Sequence, residues 1–205
     1  MPASRCVHLV AHEESVRASL VRIIESLDYR VQTYRSGGAF LGALADILPG
    51  CVMLNIHMPE IDGLEVQRRM NAAGSGLPVI VLDGDDLPCA VAAMKLGAVE
   101  YLVRPYSQEA VQAALEEGFS RLESHRAADA VAEAARNAIA RLTPRELDVL
   151  LAMLTGSPNK EIARDLAISP RTVELHRANL MDKVGARGLS GVIRIALDAG
   201  LDLAA

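Results

Sequence analysis

Apolar residues along the first 120 positions fall into short runs separated by amphipathic stretches. The runs are Cys6–Val10, Arg30–Tyr34, Cys51–Leu54, Val79–Leu82 and Val99–Val103. Between them, Ser15–Leu27, Ala39–Leu48, Leu64–Asn71 and Pro88–Leu96 place apolar residues three and four apart, the spacing of one helix face. Three of the runs are apolar almost throughout, as strands covered on both faces must be. The alternation predicts an α/β domain, a doubly wound five-stranded parallel sheet with helices on both sides. Ligands of such sheets sit at the carboxyl ends of strands near a topological switch point. Chemistry is therefore sought just after Val10, Leu54, Leu82 and Val103.

From Ser107 to about Ile139 the strand pattern stops, and Ala, Glu, Arg and Leu dominate, all strong helix formers. This stretch predicts one long helix or a helix pair. It is a solvated linker or a dimerising coiled coil, for which Val111, Leu115, Phe119 and Leu122 offer a short seam. The last 65 residues then predict four short helices and no strand. Thr143-Pro144-Arg145-Glu146 supplies an N-cap, a Pro at the first helical position and a Glu three residues after the cap. Asn159 is expected to cap a second helix, Ser169-Pro170 to start a third, and Leu189 to Leu197 to form the fourth. Three segments follow: a domain over 1–120, a helical linker over 121–140 and an all-α domain over 141–205.

Charge changes the picture of these parts. The net charge of −5 argues against a nucleic-acid binder at first sight. It is unevenly placed: residues 1–140 carry −6 and residues 141–205 carry +1, so the overall value says little about the last domain. No run of about 18 apolar residues suggests a membrane span. Met1–Arg5 leads directly into a strand run without the apolar core of a signal peptide. Cys6, Cys51 and Cys89 are odd in number and widely spaced, as expected of reduced thiols in a cytoplasmic chain. No metal or cofactor is expected.

On the third C-terminal helix, Val173, Leu180 and Val184 mark an inward face, with His176 or Arg177 between them. Arg171, Glu174, Leu175, Ala178 and Asp182 then turn outward. An exposed Leu beside an Ala suits a helix lying in the major groove, where apolar groups touch thymine methyls and Glu174 accepts from a cytosine amine. Thr172, His176, Asn179 and Lys183, with Arg171 and Arg177, flank that stripe where phosphates would lie, and Lys160 at the preceding helix start is similarly placed. A four-helix partner-binding module explains the same pattern. Leu142-Thr143-Pro144-Arg145-Glu146, Asn159-Lys160-Glu161-Ile162-Ala163 and Thr172-Val173-Glu174-Leu175-His176-Arg177 resemble the signature of the LuxR/FixJ (NarL) helix-turn-helix, over residues 141–201. The resemblance implies a recognition helix at about 170–184 in the major groove of double-stranded DNA. It also implies a last helix that often pairs two subunits on a two-fold site.

The front domain resembles the flavodoxin-like receivers of two-component response regulators, most plainly at Met58-Pro59-Glu60-Ile61-Asp62-Gly63-Leu64-Glu65 and Ala92-Ala93-Met94-Lys95-Leu96-Gly97-Ala98. Receivers hold Mg²⁺ with two acids after the first strand and phosphorylate an Asp at the end of the third. A Thr or Ser and a Lys then bind the phosphoryl oxygens. This sequence departs at each position: Ala11 and His12 for the acids, Asn55 for the acceptor, Asp83 for the hydroxyl and Arg104 for the Lys. An amide cannot form an acyl phosphate, and Ala11 and His12 lack the hard oxygens that Mg²⁺ requires. The family's pocket charge of about −2, which a divalent ion offsets, falls here to about zero. An Asp83–Arg104 ion pair is expected to satisfy it. His12 and His57 at the pocket mouth fit either plain exposed histidines or a metal- or pH-responsive pair. Tyr101 matches the family's switch aromatic and is expected to pack in one rotamer against residues 86–96. Arg104-Pro105 matches a Lys-Pro that is often cis.

The leading expectation is a transcription regulator that works without aspartyl phosphorylation, gated by homodimerisation or by a partner on its receiver. The competing one is a protein-interaction antagonist that sequesters a sensor kinase or pairs with an intact response regulator. Nothing in the sequence supports an enzyme, since it shows no nucleophile–base pair, Gly-rich phosphate loop or metal-ligand cluster.

Overall fold

The computed structural model describes residues 5–83 and 86–201, without the side chain of Asp83. The chain divides into two compact units, residues 1–125 and 126–205. The strands of the first unit are β1 (Cys6–Val10), β2 (Arg30–Tyr34), β3 (Gly50–Asn55), β4 (Val79–Asp83) and β5 (Glu100–Val103). They form one five-stranded sheet in the order β2-β1-β3-β4-β5, and every pairing is parallel. Strand order reverses between β1 and β3, so the switch point lies at Ala11 and Asn55.

Alternate residues of each central strand feed two separate apolar layers, which is why the runs read as continuously apolar. Val7, Leu9, Cys51, Met53, Ile80 and Leu82 face α1 (Glu14–Ser26) and the start of α5 (Gln108–Ala140). Val10, Val52, Leu54, Val79 and Val81 face α2 (Gly37–Ala43), α3 (Gly63–Ala72) and α4 (Leu87–Lys95). Gly118 lets α5 lie on the sheet, because a Cβ there would stand 2.6 Å from the Cys51 sulfur. Gly63 does the same at the switch point, where a Cβ would lie 2.4 Å from the Asn55 carbonyl oxygen. His8 is fully buried, and its Nε2–H donates to the Leu48 carbonyl at 2.8 Å. Burial holds its pKa below the usual histidine value.

Helix α2 ends at Ala43 and not at Leu48 as the periodicity suggests. Ser36 caps its start by accepting from the Ala39 amide. Pro49 disfavours the helical conformation for Leu48 itself, which is 62% exposed. The stretch after Ser107 is one helix of 33 residues, not a pair. Its residues 111–122 bury Val111, Leu115, Phe119 and Leu122 in the first unit, while positions 123–131 are exposed throughout.

The second unit holds α6 (Pro144–Leu154), α7 (Asn159–Asp165), α8 (Pro170–Val184) and α9 (Leu189–Asp198) around Val149, Leu150, Met153, Ile162, Val173, Leu180 and Val192. The capping box at Thr143 is present: its hydroxyl accepts from Glu146 N–H, and its own N–H donates to Glu146 at 2.8 Å. Asn159 is not the cap of α7. Pro158 occupies that position, and Asn159 is the first helical residue. No helix among the described residues is long and apolar enough to cross a membrane.

Candidate functional site

Ala11 follows β1 and is fully buried, so only a methyl group stands where the resemblance to receivers places a metal-binding acid. The neighbouring space is taken by a residue the sequence reading missed. Arg17 on α1 is 5% exposed, and its Nη1 donates to the Ala11 and His12 carbonyls at 2.7 and 2.8 Å. Its other terminal nitrogen pairs with Glu14. Receivers imply Mg²⁺ here, and these residues do not fit it: the acids are absent and a buried cation holds the strand-end carbonyls. Among the described residues no three His, Cys, Asp or Glu side chains could hold a metal ion.

Asn55 ends β3 and is 1% exposed, and neither its amide nitrogen nor its oxygen has a partner among the described residues. Arg104 does not stand free for Asp83 alone. Its guanidinium closes on Glu13, the residue preceding α1, with Nη1 and Nη2 donating at 3.2 and 3.1 Å to the two carboxylate oxygens. The hydrogen bond from Arg104 holds the Glu13 carboxyl below its ordinary pKa. The expected Asp83–Arg104 pair rests on a side chain outside the described residues. His12 and His57 are both exposed, and His57 lies near enough to Asp86 to help lower that carboxyl's pKa, after the Cys89 amide and thiol.

Tyr101 packs into the layer formed with α2, α3 and α4, and its hydroxyl donates to the Asp86 carbonyl at 3.3 Å. The side chain is thus turned toward the start of α4, as its register suggests. The Arg104–Pro105 bond is cis.

In the second unit, α7 and α8 meet at a turn in which Ala167 adopts φ 54°. Ser169 caps α8 by accepting from the Thr172 amide at 3.0 Å, and its oxygen lies 2.8 Å from the Thr172 hydroxyl. Val173, Leu180 and Val184 are buried on α8, and Leu175 is 59% exposed. Arg171, Glu174, Ala178, Asn179 and Asp182 are also exposed, whereas Thr172, His176 and Arg177 are half-buried. Ser169, Arg171, Thr172, Glu174 and Leu175 line one concave surface of about 720 Å³. Lys160 at the start of α7 and Arg171 at the start of α8 are exposed.

Two flanking cations have internal partners that the helical register alone cannot reveal. Arg177 donates to the Asn159 side chain, tying α8 to α7. Lys183 donates to Glu146 at 2.6 Å, and Glu146 is 3% exposed. The Lys183 hydrogen bond, with the Thr143 amide, pulls the Glu146 pKa down to about 2. Lys183 is therefore a fastening between α6 and α8 and is not freely available to a phosphate.

Residues 7–116 match the response regulator receiver domain family, and residues 140–196 match the bacterial regulatory proteins of the luxR family. The chain is 42% identical to the transcriptional regulatory protein FixJ of Azorhizobium caulinodans over 203 residues, covering 98% of this chain and 96% of that one. FixJ of Rhizobium meliloti is 38% identical over 195 residues, with 95% and 96% covered. The solved structure of the response regulator StyR superposes with a TM-score of 0.80 at 32% identity, covering 95% of this chain and 99% of that one. Full-length FixJ from B. japonicum gives 0.61 at 36% identity, covering 98% and 100%. The chain belongs to the response-regulator family, as a DNA-binding transcription regulator that joins a receiver domain to a luxR-family helix-turn-helix.

Proposed function

We propose that this regulator recognises specific DNA sites without aspartyl phosphorylation, as a cytoplasmic homodimer gated by association at its receiver. The observation that carries the reading is Arg17, whose buried guanidinium holds the Ala11 and His12 carbonyls beside a strand end bearing the amide Asn55. Phosphoryl transfer to a receiver needs an anionic acceptor and a divalent ion to offset the charge gathering on the transferred group. Here the acceptor is the neutral amide of Asn55, and the Ala11 and His12 carbonyls are already taken by the Arg17 guanidinium, whose charge Glu14 balances.

Association has a surface available to it. Leu87, Val91 and Met94, spaced along one face of α4, are 73%, 47% and 46% exposed, and large exposed apolar side chains on one face favour a protein partner. That partner is a second copy of this chain, an intact response regulator or a sensor kinase. Base reading falls to Glu174, Leu175 and Ala178, with Asn179, Arg171, Thr172, His176 and Lys160 toward the backbone.

The test is site selection from random duplexes by the purified protein, followed by affinity measurements with and without acetyl phosphate and Mg²⁺. A defined site bound with equal affinity under both conditions supports the reading. Binding that requires the phosphodonor overturns phosphorylation independence. Failure to bind any duplex would leave the antagonist reading in its place.

A further inference from the structure

We infer that Arg187 and Arg194, with Ser190 between them, form a clamp for DNA-backbone phosphates beside the recognition helix. The inference rests on the DNA-binding reading above and extends the interface beyond α7 and α8.

The recognition helix ends at Val184, and Gly185 caps it with φ 73°. The chain then turns through Ala186, Arg187 and Gly188 into α9. Gly185, Ala186, Arg187, Gly188, Ser190, Gly191, Arg194 and Ile195 enclose a concave surface of about 370 Å³, which is continuous with the end of α8.

Arg187 and Arg194 are both exposed. Neither forms a hydrogen bond or ion pair among the described residues, unlike several other arginines of the second unit. Arg145 pairs with Asp148, Arg164 with Asp165, and Arg177 is held by Asn159. Two guanidiniums without an ion pair line one concavity, with Asp182 and Asp198 the nearest acids in sequence. Guanidinium forks match the oxygens of a phosphodiester, and the Ser190 hydroxyl adds a neutral donor. Gly185 and Gly188 face open space, since a Cβ at either would meet nothing within 4 Å. Gly191 also admits the loop, since a Cβ there would come within 3.3 Å of the Ala186 Cβ.

Duplex DNA is the occupant to which the geometry points. The concavity begins at the residue where the recognition helix ends, and it carries the charge opposite to phosphate. A protein partner of acidic surface is the competing occupant.

The test uses the full-length protein. Fluorescence anisotropy with a random duplex, from 50 to 300 mM salt, compares wild type with R187A, R194A, the double variant and R187K. Thermal melts and sedimentation run in parallel. Each alanine variant is expected to weaken binding to all duplexes roughly threefold to tenfold and to lower the log–log salt slope by about one. The lysine variant should keep most of the slope, and melting temperature and oligomeric state should not change. Unaltered affinity and slope in the folded double variant would overturn the clamp. A shift in oligomeric state that accounts for the lost affinity would overturn it in favour of a protein contact. Absence of duplex binding by the wild type would defeat the DNA-binding reading itself and the clamp with it. Loss confined to the arginine variants, beside a wild type that binds, bears on the clamp alone.

Discussion

Arg104 donates both terminal guanidinium nitrogens to the two carboxylate oxygens of Glu13, at 3.2 and 3.1 Å, across 91 residues of sequence. The cation that the resemblance to receivers assigns to phosphoryl binding is therefore engaged by a group at the start of α1. The fork geometry is good, but the two side chains are 41% and 39% exposed, so water screens much of the attraction. Glu13→Gln should lower receiver stability by only about 0–1 kcal/mol. Chemical denaturation of the isolated variant and wild type would measure this, and a loss of several kcal/mol would show a deeper role for the pair.

Asn55→Asp should not restore phosphorylation by acetyl phosphate. The Arg17 guanidinium would still hold the Ala11 and His12 carbonyls, and no acid would replace Ala11. The new carboxyl would sit at a position that is 1% exposed, where burial raises its pKa. Removing that charge from water should destabilise the receiver by roughly 1–3 kcal/mol at neutral pH. Phosphoprotein gels and mass spectrometry test labelling, while urea midpoints test stability. Efficient labelling of this single variant would show that Mg²⁺ enters despite Arg17.

Lys183 and Glu146 make stability of the helix-turn-helix depend on acid. The folded value for Glu146 is about 2 against an ordinary 4.5. Its contribution is therefore complete above about pH 4.5 and disappears as the pH falls through that window toward 2, because the unfolded chain takes up the proton first. Glu146→Gln should flatten this part of the acid-unfolding curve, followed by circular dichroism. Thr143→Ala, which removes the other half of the capping box, should cost about 1 kcal/mol. Lys183→Ala should weaken DNA binding only as far as it unfolds the domain.

Ala167 holds φ 54° in the turn between α7 and α8, a conformation that the Cβ disfavours. Ala167→Gly should raise stability by about 0.5 kcal/mol, the relief of strain outweighing the larger entropy glycine loses on folding. A fall in the thermal midpoint would show that the alanine methyl makes compensating contacts.

Where a residue's role is local, the sequence already displayed it. Thr143 and Glu146 form their capping box because both partners lie within one turn, and Val173, Leu180 and Val184 are inward because period 3.6 leaves them no other face. The three central strands are legible for a similar reason, since burial on both faces demands uninterrupted apolar residues, whereas β2 and β5 are edge strands that are largely exposed. Roles that depend on distant partners were not. Arg17 reads as an ordinary helix surface arginine until α1 docks and turns it toward the end of β1. Lys183 has the right spacing for a phosphate contact, and only the packing of α6 against α8 shows that Glu146 holds it. Leu48 looked like helix because its apolar spacing is right, although Pro49 follows.

Leu175 separates sequence reading from backbone attraction on α8. It is 59% exposed on a helix whose interior side is filled by Val173, Leu180 and Val184, so Leu175→Ala should leave the fold intact. In the groove, the lost methyl groups would remove apolar contact with bases and leave phosphate contacts untouched. The variant should lose roughly 1–3 kcal/mol of discrimination between a selected site and a scrambled duplex, with nonspecific affinity almost unchanged. Lys160→Ala should behave oppositely, weakening both duplexes alike and lowering the log–log salt slope by about one. Anisotropy titrations of both variants on both duplexes, after melts confirm folding, distinguish these outcomes. If Leu175→Ala retains full discrimination, the exposed stripe of α8 does not read bases, and its apolar residue serves a protein contact instead.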